Sequence, residues 1–570
     1  MAAGRGTVPL ADVEHIDVAA LFSLPGAQRQ AVRAARPRLM LFAFVFAIGF
    51  AVLVVRSVSL TIFDHRPQMT RHGVAGAGDL LPRARITDRN GALLAASIET
   101  NSAYIERAYI HDPAQLAARL SRISGMADEA TLRRRFQGGR GRASLGHRLT
   151  PKTRDALFSL GLPGLTFMAE QTRYYPRGPF AAHLLGWVNA DGHGASGVES
   201  AFDARLRNDR ATPLALSIDT RIQFALQSEL RTAMDEFRPL AALGIVTQVK
   251  TGEVLALAGL PDFDANAPGK ASPNERRNRA ATDRYELGSV FKPLTLAMAF
   301  DQGLTGPDDV YDVVSPLVVD GRTIRDMHRH WHKLSTREIL VQSSNKGAAL
   351  IALKLGGTLQ QRYLTDFGLL DAARIELRES ARPYLSSTTW RPVKTATIGF
   401  GHGISVTPLA FVQAMGALAN RGKLVSLTVL ARKPGYQPPS RQVVAPQSAN
   451  LVLRLMRDVV TEGTGRRANV RGYEVAGKTG SAEKLDRKTG AYAKDRNVSS
   501  FVAIFPASDP QYLVFILLDE PRGDRQTDGW ETAGWNAAPV TGRVIRRIGP
   551  VLLPGFAREN KLASIKEAGQ

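Results

Sequence analysis

The sequence predicts an α+β protein: a domain built on an antiparallel sheet with packed helices, preceded by an elongated α+β domain and one amino-terminal transmembrane helix. Three observations carry that expectation. Strand patterns stand at both ends of the carboxy-terminal region with apolar helical patterns between them, which is segregation rather than βαβ alternation. The uncharged run 39–55 lies at the short end of the ~17–25 residues that cross a bilayer. The chain has 570 residues, more than one core supports, so two or three domains of ~100–200 residues are expected.

Composition narrows the function classes. With 44% hydrophobic and 22% charged residues, the chain has ample material for packed cores. The formal net charge of +22 suits an anionic partner. Apart from Arg133-Arg134-Arg135 and the Arg-Gly stretch 138–142, however, no dense basic run with interleaved aromatics occurs, and a nucleic-acid partner is not expected. The absence of cysteine excludes disulfides, thiolate metal sites and a thiol nucleophile.

Residues 1–38 read as a tail ending in Arg29, Arg33, Arg36 and Arg38, followed by the anchor at 39–55. A cleaved leader is the competing reading, but a leader's apolar stretch is usually shorter, and the nearest small-residue site, Ala75-Gly76-Ala77, lies far downstream. Flanking charge orients the anchor only weakly, since Arg56, Arg66 and Arg71 follow it almost as densely.

Residues 56–211 are expected to form a non-catalytic pedestal, a spacer or dimerisation-type domain. Residues 85–95 read as strand, Asn90-Gly91 turn and strand. Asp112-Pro113 opens a helix with a capping carboxylate and a proline at the first position. From there to Leu162 polar helices and basic loops are expected to alternate. Arg173-Tyr174-Tyr175-Pro176 and Gly197-Val198-Glu199 follow without a catalytic constellation. The second domain, 212–555, opens with a strand at 214–218 and a helix at 219–232. Residues 244–249 and 253–260, about the turn Lys250-Thr251-Gly252, predict an antiparallel pair, and 500–505 with 512–518 predict two late strands. Residues 556–570 read as a polar tail.

Within that domain, Tyr285-Glu286-Leu287-Gly288-Ser289-Val290-Phe291-Lys292-Pro293 brings a hydroxyl, an amine and a helix start together. Gly288 permits a sharp entry, and Pro293 is tolerated only near a helix's first turn, so the helix starts close to Ser289. Residues three apart share a helix face, which sets the Lys292 amine beside the Ser289 hydroxyl and activates a weak nucleophile. The pattern alone is cheap. Ser-x-x-Lys recurs at 343–346 and 481–484, Ser-x-Asn occurs at 272–274, 343–345 and 448–450, and Lys-Thr-Gly starts at 250, 478 and 488.

Context chooses among them. The triplet at 272 lies in a polar loop, and that at 448 caps a surface helix, 450–459. Ser343-Ser344-Asn345 falls instead at the junction of two helices, 335–341 and 346–355, where short polar side chains point inward. Lys478 belongs to a plausible strand, 475–482, on which Lys478 and Gly480 share a face and glycine clears room for an extended substrate backbone. His328, His330 and His332 alternate and offer a metal reading; a histidine and aromatic loop over the site is the blander account, and no metal is expected. His402 sits between glycines, with no carboxylate pattern to make a triad.

The ordered set Ser289/Lys292, Ser343/Asn345 and Lys478-Thr479-Gly480 resembles the penicilloyl-serine transferases. Three flanks are similar to class B penicillin-binding proteins, and the overall resemblance leans to the septal, division type: Tyr285-Glu286-Leu287-Gly288-Ser289, Gly399-Phe400-Gly401-His402-Gly403 and Gly477-Lys478-Thr479-Gly480-Ser481. So are Asp88-Arg89-Asn90-Gly91, Arg173-Tyr174-Tyr175-Pro176 and Gly197-Val198-Glu199 in the first half. Ala84 stands where that family usually has glycine and Ser481 where threonine is common.

The resemblance implies a serine β-lactamase-like transpeptidase fold and a D,D-transpeptidase that cross-links peptidoglycan stem peptides and is acylated by β-lactams, without a cofactor. It implies Ser289 as nucleophile, Lys292 as base, Ser343 as proton relay and Asn345 as a holder of the donor backbone. Lys478, Thr479 and Ser481 bind the substrate carboxylate, and the amides of Ser289 and Ser481 form an oxyanion hole. It also implies an inner-membrane, single-pass topology with a cytoplasmic tail, a periplasmic catalytic domain, and a polytopic glycan polymerase and other division proteins as partners. A lateral-wall transpeptidase, a β-lactamase or carboxypeptidase, and a non-catalytic membrane scaffold are the rivals. Against a lactamase, no Glu-x-x-Leu-Asn follows Ser343.

Overall fold

The computed structural model describes residues 40–41, 44–54, 82–138, 141–385, 389–485, 492–523 and 527–556. The predicted tails, 1–38 and, apart from Phe556, 556–570, and the Lys-Thr-Gly triplet at 488 lie outside them. Residues 1–76 and 77–570 are separate units. In the first, residues 40–41 and 44–54 are helical and exposed. Among the described residues no helix is long and apolar enough to cross a membrane.

The second unit is organised around a five-stranded antiparallel sheet in the order Ala476–Leu485, Tyr492–Phe505, Tyr512–Asp519, Ala241–Gln248, Val254–Leu260. The late strands therefore close on the early hairpin, with Phe515 opposite Ile245. Successive side chains of a strand point to opposite faces. Leu513, Phe515 and Leu517 enter one core, and Val514, Ile516 and Leu518 enter another. Burial on both faces explains why this strand reads as a continuous apolar run rather than an alternating one. Helices Thr220–Phe237 and Ala537–Leu552 cover the second core. Helices Lys292–Asp301, Asn345–Leu355, Pro408–Ala419 and Pro446–Thr461 contribute to the first.

The amino-terminal part carries strands Ile86–Thr87, Leu93–Glu106, Arg142–Leu149 and Leu165–Tyr174, joined in one sheet with Leu214–Ala215. The Asn90-Gly91 hairpin is present, pairing Ile86 with Ala95. Its turn is tied by Asp88, which accepts from the amides of Asn90, Ala92 and Thr220. Asp112 caps helix Pro113–Leu120 as expected. The stretch 142–149, in the region expected to alternate polar helices with basic loops, is instead a strand beside Leu93–Glu106. Ala143, Leu145 and Leu149 enter a small core while Arg142, His147 and Arg148 face outward, so its basic residues lie on the exposed side.

Glu199 locks the base of this region. It has no exposed surface and accepts from Arg83 at 2.9 Å, Arg173 at 2.6 Å and the Tyr175 hydroxyl at 3.3 Å. Burial, with the Glu199 charge beside it, holds the Tyr175 hydroxyl well above the usual phenol range.

Candidate active site

The turn Gly288–Phe291 is a single 3-10 turn, and the α-helix begins at Lys292 with Pro293 inside its first turn. Gly288 takes φ 61°, and a Cβ there would sit 2.7 Å from the Ser481 carbonyl oxygen, so only glycine lets the turn lie against the strand. Gly401, at φ 82°, does the same from the other side: its Cβ would fall 2.1 Å from the Gly288 carbonyl. It is the turn, rather than the helix, that packs on strand Ala476–Leu485; the helix packs among Asn345–Leu355 and Pro446–Thr461.

Lys292 Nζ is the centre of the site and is fully buried. It lies 2.9 Å from Ser289 Oγ, 2.5 Å from the Ser343 carbonyl, 3.2 Å from Ser343 Oγ and 2.8 Å from Asn345 Oδ1. Burial pushes its amine well below the usual lysine range, and the Lys478 charge pushes it further. A neutral amine has a lone pair, and the Ser289 hydroxyl stands where it can donate to it.

Ser343 sits at the junction of helices Thr336–Val341 and Asn345–Leu355 with φ 64°. That left-handed backbone costs a non-glycine residue about 1–3 kcal/mol and is held by its surroundings. Here the Ser343 carbonyl accepts from Lys292, while the Ser343 hydroxyl accepts from Lys478 Nζ at 2.9 Å. Lys478 is also fully buried, and burial lowers it to about 7. It donates to Thr479 Oγ1 at 3.2 Å, and Thr479 Oγ1 lies 2.8 Å from Thr464 Oγ1. A continuous polar chain thus runs from Ser289 through Lys292, Ser343, Lys478 and Thr479 to Thr464.

All of the expected residues converge except in two details. Gly480 does clear space, but a Cβ there would meet the Leu287 carbonyl at 2.5 Å and Ser500 Oγ at 2.7 Å, so the room is filled by the chain before Ser289. The Ser481 hydroxyl accepts from the Ala533 amide at 3.1 Å. Strand Ala476–Leu485 is an edge of its sheet, so the backbone groups of every second residue, which point to its free side, have no strand partner among the described residues. The Ser-x-Asn at 272 caps the short helix Pro273–Arg276, while that at 448 lies inside helix Pro446–Thr461 rather than capping one.

Two residues were missed from the sequence. Thr464 follows the helix Pro446–Thr461 in a glycine-flanked loop with no spacing signal. Asp326 receives the Ser344 hydroxyl and the amides of Asn345 and Lys346. His330 pairs with that aspartate at 3.3 Å, and Arg329 lies over the Trp331 ring, so these side chains of the histidine loop have local partners. His402 stacks on Tyr492 with Phe400 tilted against its other side, and burial with the nearby Lys292 lowers it to about 4. The Tyr492 hydroxyl donates to Glu286 at 2.8 Å, across the same wall.

Comparison with known proteins bears on this geometry. The chain matches the penicillin binding protein transpeptidase domain over residues 242–540 and the penicillin-binding protein dimerisation domain over residues 80–212. It is 41% identical over 503 residues to a probable peptidoglycan D,D-transpeptidase FtsI of Caulobacter vibrioides, covering 86% of this chain and 84% of that protein. It is 28% identical over 495 residues to the peptidoglycan D,D-transpeptidase FtsI of Escherichia coli K12, covering 81% and 82%. Among solved structures, penicillin binding protein 3 of Mycobacterium tuberculosis in complex with aztreonam superposes with a TM-score of 0.65 at 26% identity, covering 84% of this chain and 98% of that one.

Proposed function

Because the chain belongs to the penicillin-binding protein transpeptidases and is a serine-type peptidoglycan D,D-transpeptidase, we propose that it cross-links stem peptides during septal wall synthesis with Ser289 as its nucleophile. One observation carries the assignment of the serine: of the three Ser-x-x-Lys patterns, that at 289 has its own lysine fully buried and 2.9 Å from the serine hydroxyl, whereas Lys346 turns to the Val314 and Ser315 carbonyls and Lys484 to Asp519 and Glu520.

The chemistry follows from the contacts. Ser289 Oγ attacks the carbonyl carbon between two terminal D-alanines and gives its proton to the neutral Lys292 Nζ. The oxyanion that forms is held by the amides of Ser289 and Ser481. Lys292 passes the proton through the Ser343 hydroxyl to the departing D-alanine nitrogen as the C–N bond breaks, a route supported by the 3.2 Å separation of Lys292 Nζ and Ser343 Oγ. Lys478, with the hydroxyls of Thr479 and Ser481, binds the terminal carboxylate. The donor backbone lies along the free edge of strand Ala476–Leu485, beside Gly480 and within reach of Asn345. An amine from a neighbouring stem peptide then attacks the ester and restores the serine, losing its proton to Lys292. A β-lactam enters as a donor mimic and stops at the ester.

The same reading divides the chain into tail 1–38, anchor 39–55, pedestal 56–211, transpeptidase domain 212–555 and tail 556–570. It places the anchor in the bacterial inner membrane with the tail cytoplasmic and the catalytic domain periplasmic. The anchor and pedestal bind a polytopic glycan polymerase and other division proteins. The relatives named FtsI support the septal role. Depletion in the source bacterium followed by microscopy tests it: filaments with unfinished septa are expected, and rounded cells would assign the protein to the lateral wall.

A further inference from the structure

The Asp326 carboxylate belongs to none of the motifs above, yet three groups of the Ser343 junction converge on it. It follows strand Arg322–Ile324, is 5% exposed in its side chain, and faces the start of helix Asn345–Leu355. The first amides of a helix have no partner within the helix. Here one Asp326 oxygen accepts from the amides of Asn345 and Lys346, the latter at 2.9 Å, and the other accepts from Ser344 Oγ at 2.8 Å. Ser344 Oγ in turn accepts from the Gly347 amide at 3.0 Å, so the aspartate fastens both the helix and its cap. Asn345 Nδ2 donates to the Arg325 carbonyl at 3.2 Å, a second tie between the same two segments.

We propose that Asp326 is a positioning residue for the transpeptidase reaction: it fixes Ser343 and Asn345 against Lys292, and its negative charge balances part of the positive charge buried beside them. The proposal rests on the reading of Ser289 and Lys292 given above. The clamp supplies what the left-handed Ser343 needs, a fixed hold on the three residues immediately downstream of a backbone that would otherwise relax.

The electrostatic part has a sign. Around Lys292 the ionisable groups are Lys478 from the edge strand, His402 from the glycine loop, and Asp326, with the hydroxyls of Ser289 and Ser343. Burial and Lys478 lower the Lys292 amine, and Asp326 opposes them. His330 faces Asp326 from the histidine loop, 3.3 Å away. Neutral Lys292 is the base, so the acid limb of the acylation profile follows its titration, and loss of the Asp326 charge moves that limb to lower pH.

The test measures the acylation rate of the full-length protein in detergent with a fluorescent penicillin, from pH 5 to 10. His330→Gln is the reference background, so that no charged imidazole can change in step with the carboxylate. In that background Asp326→Asn keeps an acceptor oxygen for the amides and loses the charge; its acid limb is expected about half a pH unit or more below the reference. Asp326→Ala, which loses the acceptors too, is expected to acylate at least tenfold more slowly at the optimum. Superimposable profiles for Asp326→Asn and its reference overturn the proposal, whatever the alanine variant does. Labelling of the native protein and its loss in Ser289→Ala report separately on the underlying reading; an unlabelled native protein means that reading has failed, not this one.

Discussion

Glu199→Gln is expected to destabilise the protein far more than any exchange of a surface carboxylate. Glu199 is fully buried between Arg83 and Arg173, whose side chains are 5% and 3% exposed. Removing one partner of a buried ion pair costs about 3–5 kcal/mol, because the remaining charge stays desolvated. Arg83 keeps a second carboxylate, Asp203 at 2.7 Å, and the Gly192 carbonyl at 2.9 Å. Arg173 keeps the Ala84 carbonyl at 2.8 Å, and its Nη2 has no hydrogen-bond partner among the described residues. One arginine is thus rescued and the other stranded, which points to the lower part of the range, about 3 kcal/mol. Glu106→Gln is the control: its pair with Arg142 is 49% and 36% exposed, and such pairs contribute about 0–1 kcal/mol. Pulse proteolysis of the full chain across a urea series measures both. A Glu199→Gln loss no larger than that of Glu106→Gln would refute the reasoning, because burial would then not be what sets the cost.

Three further outcomes are expected. Lys292→Ala should lower penicillin acylation by about 10²–10⁴-fold, the usual contribution of a positioned base, with an unchanged melting temperature or a raised one. Lys478→Met should abolish transpeptidation while stabilising the fold by about 1–4 kcal/mol, since it replaces a fully buried amine by an apolar side chain. The pH sign agrees. Lys478 is lowered to about 7 when folded and is protonated up to about 10.4 when unfolded, so the unfolded chain binds the extra proton between those values. Native stability should rise with pH across that window and rise less in Lys478→Met, as urea titrations at stepped pH would show. Gly401→Ala should reduce acylation at least tenfold, because its Cβ would fall 2.1 Å from the Gly288 carbonyl and displace the turn that carries Ser289; acylation at the native rate would mean the glycine loop does not set the nucleophile's position.

The helix start at Lys292 was legible because proline and glycine restrict backbone geometry locally, and the Lys478 strand by context, since the triplet at 250 is a hairpin turn and that at 488 lies in a charged stretch. Ser343 was found by context alone; its positive φ, which no spacing predicts for a serine, comes from the tertiary clamp of Lys292 and Asp326. Asp326 and Thr464 were invisible for the same reason: each meets its partners across chain separations that carry no period. In the first half of the chain, strand Arg142–Leu149 was hidden because only its inward residues are apolar and two arginines, a histidine, a serine and a glycine occupy the rest. Gly480 was legible as a place of close approach, but not what approaches it, since that is fixed by how the turn at Gly288 packs on the edge strand.

The central claim is that Ser289, among three serines in the same short pattern, forms the acyl-enzyme. Peptide mapping by mass spectrometry after incubation of the full-length protein with benzylpenicillin tests it directly. The penicilloyl adduct is expected on the peptide carrying Ser289 and is expected to vanish in Ser289→Ala. An adduct on Ser343 or Ser481, or one that persists in the alanine variant, would contradict the account.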